Sequence, residues 1–204
     1  YHDRKQFSQA ENYYKQACAA DSTFTLPLRN LSELYASNDG EESEYLLKKA
    51  IGLMPYQAEN YRKLADFYSD HPDRTGVLDS ASLLYKRSIE LDPFDPWSYS
   101  GAGNLENTLG RSDSAGYWFH RGLSVVGNNP DMLYATALFF ENSKKIDSAQ
   151  RYYNAALQAN PYDFNYIADY ADFLLKQSDT TKAILLFNEA IGRRSEEHTS
   201  ELQS

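Results

Sequence analysis

The strongest constraint on this chain is a period of 34 residues. Ala81, Ala115, Ala149 and Ala183 recur at that step, as do Tyr85, Phe119, Tyr153 and Phe187, and then Ile89, Leu123, Leu157 and Ile191. Between the last two units the match extends to Ala156 and Ala190. In each unit the alanine precedes the aromatic by four residues, so both share one face of an α-helix. Pro93 and Pro161 fall four residues after the third comb position, where proline ends a helix. A fixed interval of this length with helical spacing inside it predicts a helix–turn–helix array. Such units bury their apolar faces by stacking on neighbours, so the core grows along the array. The predicted fold class is therefore all-α.

Taken in order, the chain divides into a partial repeat over 1–22 and further repeats over 23–55, 56–93, 94–130, 131–161 and 162–193. The partial repeat reads as one helix, with Ala10, Tyr14 and Ala17 on the comb and Cys18 in an apolar slot. The second carries Leu28, Leu31, Ser32 and Tyr35, a turn at Asn38-Asp39-Gly40, then Ser43, Leu47, Ala50 and Ile51. The third carries Tyr61, Leu64, Ala65 and Tyr68, then Ala81, Tyr85, Ser88 and Ile89. Its linker, Ser69 to Gly76, is longer than the others, and His71 reads there as an exposed loop histidine. The fourth opens on Asp95-Pro96, a capping residue followed by proline at the first helical position. Two features set it apart. Glu106 stands where an aromatic or leucine is expected, and six of the chain's ten glycines lie between Gly101 and Gly127. Those glycines fit either close packing beneath Trp97 and Trp118 or a softer joint. The fifth repeat opens on Asn129-Pro130 and carries Leu133, Thr136, Ala137 and Phe140 before its second helix. The sixth carries Ile167, Tyr170, Ala171 and Leu174.

Small residues repeat in the first helices as well: Ser32, Ala65, Gly103, Ala137 and Ala171. Each lets a neighbouring helix approach, and the aromatic beside it fills the gap. Ala81, Tyr85, Ala115, Phe119, Ala149, Tyr153, Ala183 and Phe187 are accordingly read as packing core rather than as a stacking platform for bases or sugars.

Bulk properties narrow the function. A net charge of −9 argues against a nucleic-acid partner, because phosphate binding needs a basic stripe. No run of about 18 apolar residues occurs, so no membrane insertion is expected within this chain. The lone Cys18 excludes an intramolecular disulfide, and no cationic neighbour is placed to activate it. His2, His71 and His120 lie in different repeats and make no metal-ligand spacing. Asp66 and Asp70 near Glu59 read as solvated charge. The expectation is a non-catalytic chain without cofactor or metal. There is no initiating Met and no leader-like segment at Tyr1, so the chain reads as part of a longer protein. Its compartment stays open, with the bacterial cytoplasm and the periplasm both compatible.

These combs, with Pro closing the repeats, resemble the tetratricopeptide repeat (TPR) family over essentially all of 1–193. The motif is most specific in the third, fifth and sixth repeats. The resemblance implies a right-handed α-solenoid of about five and a half repeats, whose first helices line a concave groove. It also implies a scaffold that holds a protein or peptide. The family's groove positions fall here on Arg29 and Glu33; Glu59, Arg62 and Asp66; Trp97, Ser100, Asn104 and Asn107; Asp131, Tyr134, Leu138 and Glu141; and Asn165, Ala168 and Asp172. The slots that clamp a terminal carboxylate in the chaperone-binding subclass hold Arg29 with Glu33, Lys63, and Trp97 with Gly101. That set is not a clamp. A second reading makes the array the non-catalytic region of a larger enzyme, such as a membrane glycan ligase or a signalling kinase. No polar cap follows Ile191, so Leu186, Phe187 and Ile191 are expected to be partly uncovered. The last helix should then fray, or the chain should self-associate.

The tail over 194–204, Arg194 to Ser204, resembles the translation of a short-read sequencing adapter beginning AGATCGGAAGAGC, in one frame throughout. The alternative is an encoded, charged, disordered tail. Without it the chain loses one Arg and three Glu, and its net charge becomes −7.

Overall fold

The computed structural model describes residues 2–201 apart from 22, 38–39 and 73–75; side chains are described within 6–189 and at 191–192. Most of the Asn38-Asp39-Gly40 turn, part of the long linker and the side chains of the 194–204 tail therefore lie outside the described residues. Among the described residues there are eleven helices and no strand. They are α1 (His2–Ala20), α2 (Leu26–Tyr35), α3 (Gly40–Leu53), α4 (Ala58–Asp70), α5 (Val77–Leu91), α6 (Pro96–Thr108), α7 (Ser112–Val126), α8 (Pro130–Asn142), α9 (Ile146–Ala159), α10 (Phe164–Lys176) and α11 (Thr180–Glu201). The chain forms two compact units, residues 1–111 and 112–204.

Local chemistry sets where these helices begin and end. Asp95 accepts from the Trp97 amide at 3.2 Å, Asn129 from Met132 at 3.0 Å, and Asp163 from Asn165 at 2.9 Å. Each such cap satisfies an amide that would otherwise have no partner and is worth about 1 kcal/mol. The turns after α6, α8 and α10 share one device. Gly110, Lys144 and Ser178, each 34 residues apart, all adopt left-handed backbone, with φ of 73°, 57° and 63°. The next residue's amide then reaches back five residues: Arg111 to the Glu106 carbonyl, Lys145 to Phe140 and Asp179 to Leu174, all at 2.9 Å. This is the Schellman closure of a helix C-terminus. Glycine is favoured at such a position, yet only the first of the three turns has it.

In the first unit, Leu28, Leu31, Leu46 and Ala50 form a buried cluster, with Tyr14 and Cys18 packed on it. Burial pushes the Cys18 thiol up, which keeps it protonated. Gly101 lies under the Tyr85 ring: a β-carbon there would come within 2.6 Å of Tyr85 Cζ. One of the repeat-four glycines is thus explained by close packing, but beneath Tyr85 rather than a tryptophan. Glu106, in the slot for an aromatic, is buried and faces Arg111 at 3.5 Å. The histidine of the long linker is not the exposed loop residue expected from sequence. His71 is half-buried and stacks on Phe67 at 4.4 Å. Its Nδ1 lies 2.8 Å from the Phe67 carbonyl and its Nε2 lies 3.3 Å from the Ala36 carbonyl. Its ring lies between the ends of α4 and α2.

In the second unit, Ala137, Ala149, Tyr153, Tyr170, Ala171, Phe173, Leu174 and Ala183 make one buried cluster. Tyr153 is fully enclosed, stacked on Tyr170 at 5.2 Å with Phe173 at 5.4 Å. Phe119 stacks on Phe139 at 4.7 Å. Phe139 and Phe173 lie two residues after the small residue of a first helix, and Phe67 occupies the same slot after Ala65. The comb alanines Ala81, Ala115, Ala149 and Ala183 are all buried. Phe187 and Ile191 are 39% and 65% exposed; among the described residues no helix lies over them as α10 lies over Tyr153 of α9. Enlarging Ala149 or Ala183 to leucine should overpack its helix contact and cost about 1–3 kcal/mol. Thermal melts of the two variants check this; unchanged midpoints in both would refute the packing.

Candidate partner-binding faces

In the first unit, the first helices α2, α4 and α6 are laced by charge. Arg29 is buried. Its guanidinium donates to Asn60 Oδ1 at 2.8 Å and Thr25 Oγ1 at 3.1 Å, and pairs with Glu59 at 2.5 Å. Arg62 continues the ladder. It donates to Asp66 at 3.1 Å, and its Nε lies 3.2 Å from Asp95, the capping residue of α6. Lys63 pairs with Glu33 across α4 and α2. Asp66 also accepts the Tyr85 hydroxyl at 2.8 Å, and burial raises its carboxyl above the usual range. Arg29 is therefore not open to a partner: it fastens α2 to α4. Arg62 is largely committed too. Open on this unit are Trp97, at 49% exposure, and Asn104, with Asn107 half-buried beside it.

In the second unit, α8 and α10 are tied by three pairs of one spacing. Tyr134 donates to Asp169, Tyr166 donates to Asp131, and Lys176 donates to Glu141 at 3.1 Å. Each pair is separated by 35 residues, one more than the period. The Tyr134 and Tyr166 rings stack at 4.6 Å, with their hydroxyls crossing to opposite helices. Glu141 also receives the Tyr153 hydroxyl at 2.5 Å. Asp172 is exposed and pairs with Lys176 at 2.7 Å. Sequence reasoning missed Tyr166, Asp169 and Lys176. Scanning for complementary side chains at the period plus one would have found all three.

Burial, followed by the neighbouring carboxylates, raises the phenols of Tyr85, Tyr134, Tyr153 and Tyr166. An unfolded tyrosine loses its proton near pH ~10. Above that pH the folded chain holds more protons than the unfolded one, so stability falls as pH rises. Midpoints measured from pH 7 to 11 should drop steeply beyond about pH 10, and the last part of the tyrosinate absorbance should appear only as helicity is lost. Complete tyrosinate absorbance while helicity persists would contradict this.

Among the described residues, no group of three His, Cys, Asp or Glu could hold a metal ion. No described helix is long and apolar enough to cross a membrane. These faces can offer hydrogen bonds, charge and aromatic surface.

No family model matches the chain. A TPR repeat protein of Schizosaccharomyces pombe, oca3, is 27% identical over 111 residues, covering 54% of this chain and 38% of the relative. A thermophilic TPR protein of Thermus thermophilus superposes with a TM-score of 0.73 at 19% identity, covering 85% of this chain and 93% of its own. The chain has a TPR fold. The type IV pilus biogenesis factor PilW gives a TM-score of 0.68 at 13% identity, covering 93% of this chain and 86% of its own. At these identities the solved structures speak to the TPR fold alone. The match to oca3 spans about two fifths of that relative's length.

Proposed function

We propose that this TPR chain is an interaction scaffold that captures a protein or peptide on the faces of its first helices. The observation that carries the reading is a division of labour. The second-helix comb is spent on packing, whereas Trp97 and Asn104 on α6, and Asp172 on α10, remain exposed. Tryptophan is enriched among residues that dominate binding energy. An asparagine amide offers a donor and an acceptor to an extended backbone. The ladders that lace α2 to α4 and α8 to α10 hold these surfaces rigid, which lowers the ordering cost of binding. The reading also covers an array that serves as a non-catalytic arm of a larger enzyme.

The test is selection of displayed random peptides on the immobilised full chain, followed by titration of the winners. Peptides that lose about tenfold or more in affinity with Trp97→Ala or Asn104→Ala, but not with Lys86→Ala on a second helix, support the reading. Enrichment of nothing, or binding indifferent to the first-helix variants, would overturn it.

A further inference from the structure

The turns that join one repeat to the next carry a surface used by neither the packing comb nor the first-helix faces. Phe24, Tyr56, Phe94 and Tyr162 each stand immediately before the capping residue of a first helix. Small and polar residues are the usual occupants of turns. A large apolar residue at this position ordinarily folds down onto the fourth residue of its helix. Tyr56 and Phe94 do not, since they are 83% and 71% exposed. Among the described residues none of the four rings stacks on another ring or lies beneath a cation. Each of these turns lies between two described helices, so the exposure is a property of the array itself. In the first unit the rings share one edge. The caps of α2 and α4 touch, because Thr25 Oγ1 donates to Gln57 Oε1 at 2.6 Å. Ser88 joins the starts of α4 and α6: its hydroxyl donates to the Ala58 carbonyl at 2.9 Å and accepts from Ser98 at 2.8 Å. Phe24, Tyr56 and Phe94 lead into these three linked starts.

The charge along that edge has one sign. No lysine or arginine lies within four residues of any of the three rings. Of the nearby carboxylates, Glu59 and Asp95 are already answered by Arg29 and Arg62. Asp21 and Asp92 are not. Both are exposed, and each spends one oxygen on its own turn: Asp21 accepts from the Thr23 amide at 2.8 Å and Asp92 from the Phe94 amide at 3.0 Å. Asp92 also closes the C-terminus of α5, where the helix dipole favours a cation. We propose that this edge binds an arginine-rich segment of a partner, with guanidinium groups laid on the exposed rings and paired with Asp21 and Asp92. A guanidinium is the group that stacks on an aromatic face while its N–H fork meets a carboxylate. The proposal rests on the turns and not on Trp97 or Asn104, so it stands or falls apart from the reading above.

The probe is a fluorescent peptide of alternating arginine and glycine, titrated into the full chain beside the same peptide with lysine in place of arginine. Saturable binding of the arginine peptide is expected, with the lysine peptide weaker. Tyr56→Ser or Phe94→Ser should weaken it about fivefold or more while leaving the net charge unchanged. Asp92→Asn, which keeps an acceptor for the Phe94 amide but removes the charge, should act in the same direction. All three variants replace exposed side chains, and unchanged circular dichroism melts would show that they fold. Absence of saturable binding would overturn the proposal. So would binding indifferent to the two ring substitutions, which is general attraction to a chain of net charge −9. Binding to phosphatidylcholine vesicles that Phe94→Ser abolishes would overturn it too, since a membrane interface would then be the occupant, as would a dimer of the chain alone that Tyr56→Ser disperses.

Discussion

Replacing Tyr153 with alanine is expected to be the most damaging single truncation in the second unit, at about 3–5 kcal/mol. The ring has no exposed surface and is stacked between α9 and α10 by Tyr170 and Phe173. Its loss leaves a void with walls drawn from three helices. The hydroxyl adds a separate contribution, since it donates to the Glu141 carboxylate at 2.5 Å. Tyr153→Phe keeps the ring, so it isolates that bond at about 1.5–3 kcal/mol, the range for hydrogen bonds to charged groups. The damage should also be local. In a stacked array stability is nearly a sum of neighbour contacts, so hydrogen exchange in Tyr153→Ala should lose protection in α8 to α10 and keep it in α3 to α5. Uniform loss along the chain, or a midpoint within experimental error of the parent, would show that the contact does not hold the unit together.

The second large effect is expected at Arg29. Its guanidinium is buried against Asn60 and Thr25, both themselves buried, and against the partly exposed Glu59. Arg29→Ala leaves the Asn60 amide oxygen without its donor and opens space beneath α4. Removing one member of a fully buried ion pair costs about 3–5 kcal/mol. Here Glu59 can return to water, so about 2–3 kcal/mol is expected. Arg29→Lys should recover only part of this, because an ammonium cannot reproduce the planar fork that meets three partners at once. Urea denaturation of the two variants provides the check. If Arg29→Ala melts with the parent, the guanidinium does not fasten α2 to α4, and the residue returns to the set available for binding.

The fate of Arg29 shows what the sequence could reveal. The period of 34 residues exposes which positions face the core, because core positions must repeat for neighbouring units to stack. That made the all-α repeat fold readable without coordinates. A groove position inferred from resemblance says only which side of a first helix a residue occupies. It does not say whether a long side chain reaches outward or turns to grip the next helix. Arg29 and Arg62 turn inward because acidic and amide partners stand on α4 and at the cap of α6; Trp97 and Asn104 have the outer surface to themselves. The second miss has the same origin. Reading each helix by its small residue and the aromatic three later overlooked Phe67, Phe139 and Phe173. These are placed two residues on and pack in the adjoining direction. His71 was misread because nothing in a linker's composition shows that its first side chain packs on the helix it leaves.

The left-handed turns carry a consequence for how chains of this kind change length. Gly110, Lys144 and Ser178 occupy the same conformation and are sealed by the same backbone hydrogen bond. Splicing the chain from one of these residues to the successor of another would remove or duplicate a whole hairpin and rebuild an identical joint at the seam. Excision of 145–178, for instance, would place Asp179 after Lys144 with the closing bond redrawn to Phe140. Growth and loss by complete blocks of 34 residues therefore preserve these turns, whereas one residue added or lost within a helix would rotate everything beyond it by about 100°. The same joint that closes each of these hairpins therefore makes the hairpin the unit by which such an array can be lengthened or shortened without strain at the seam.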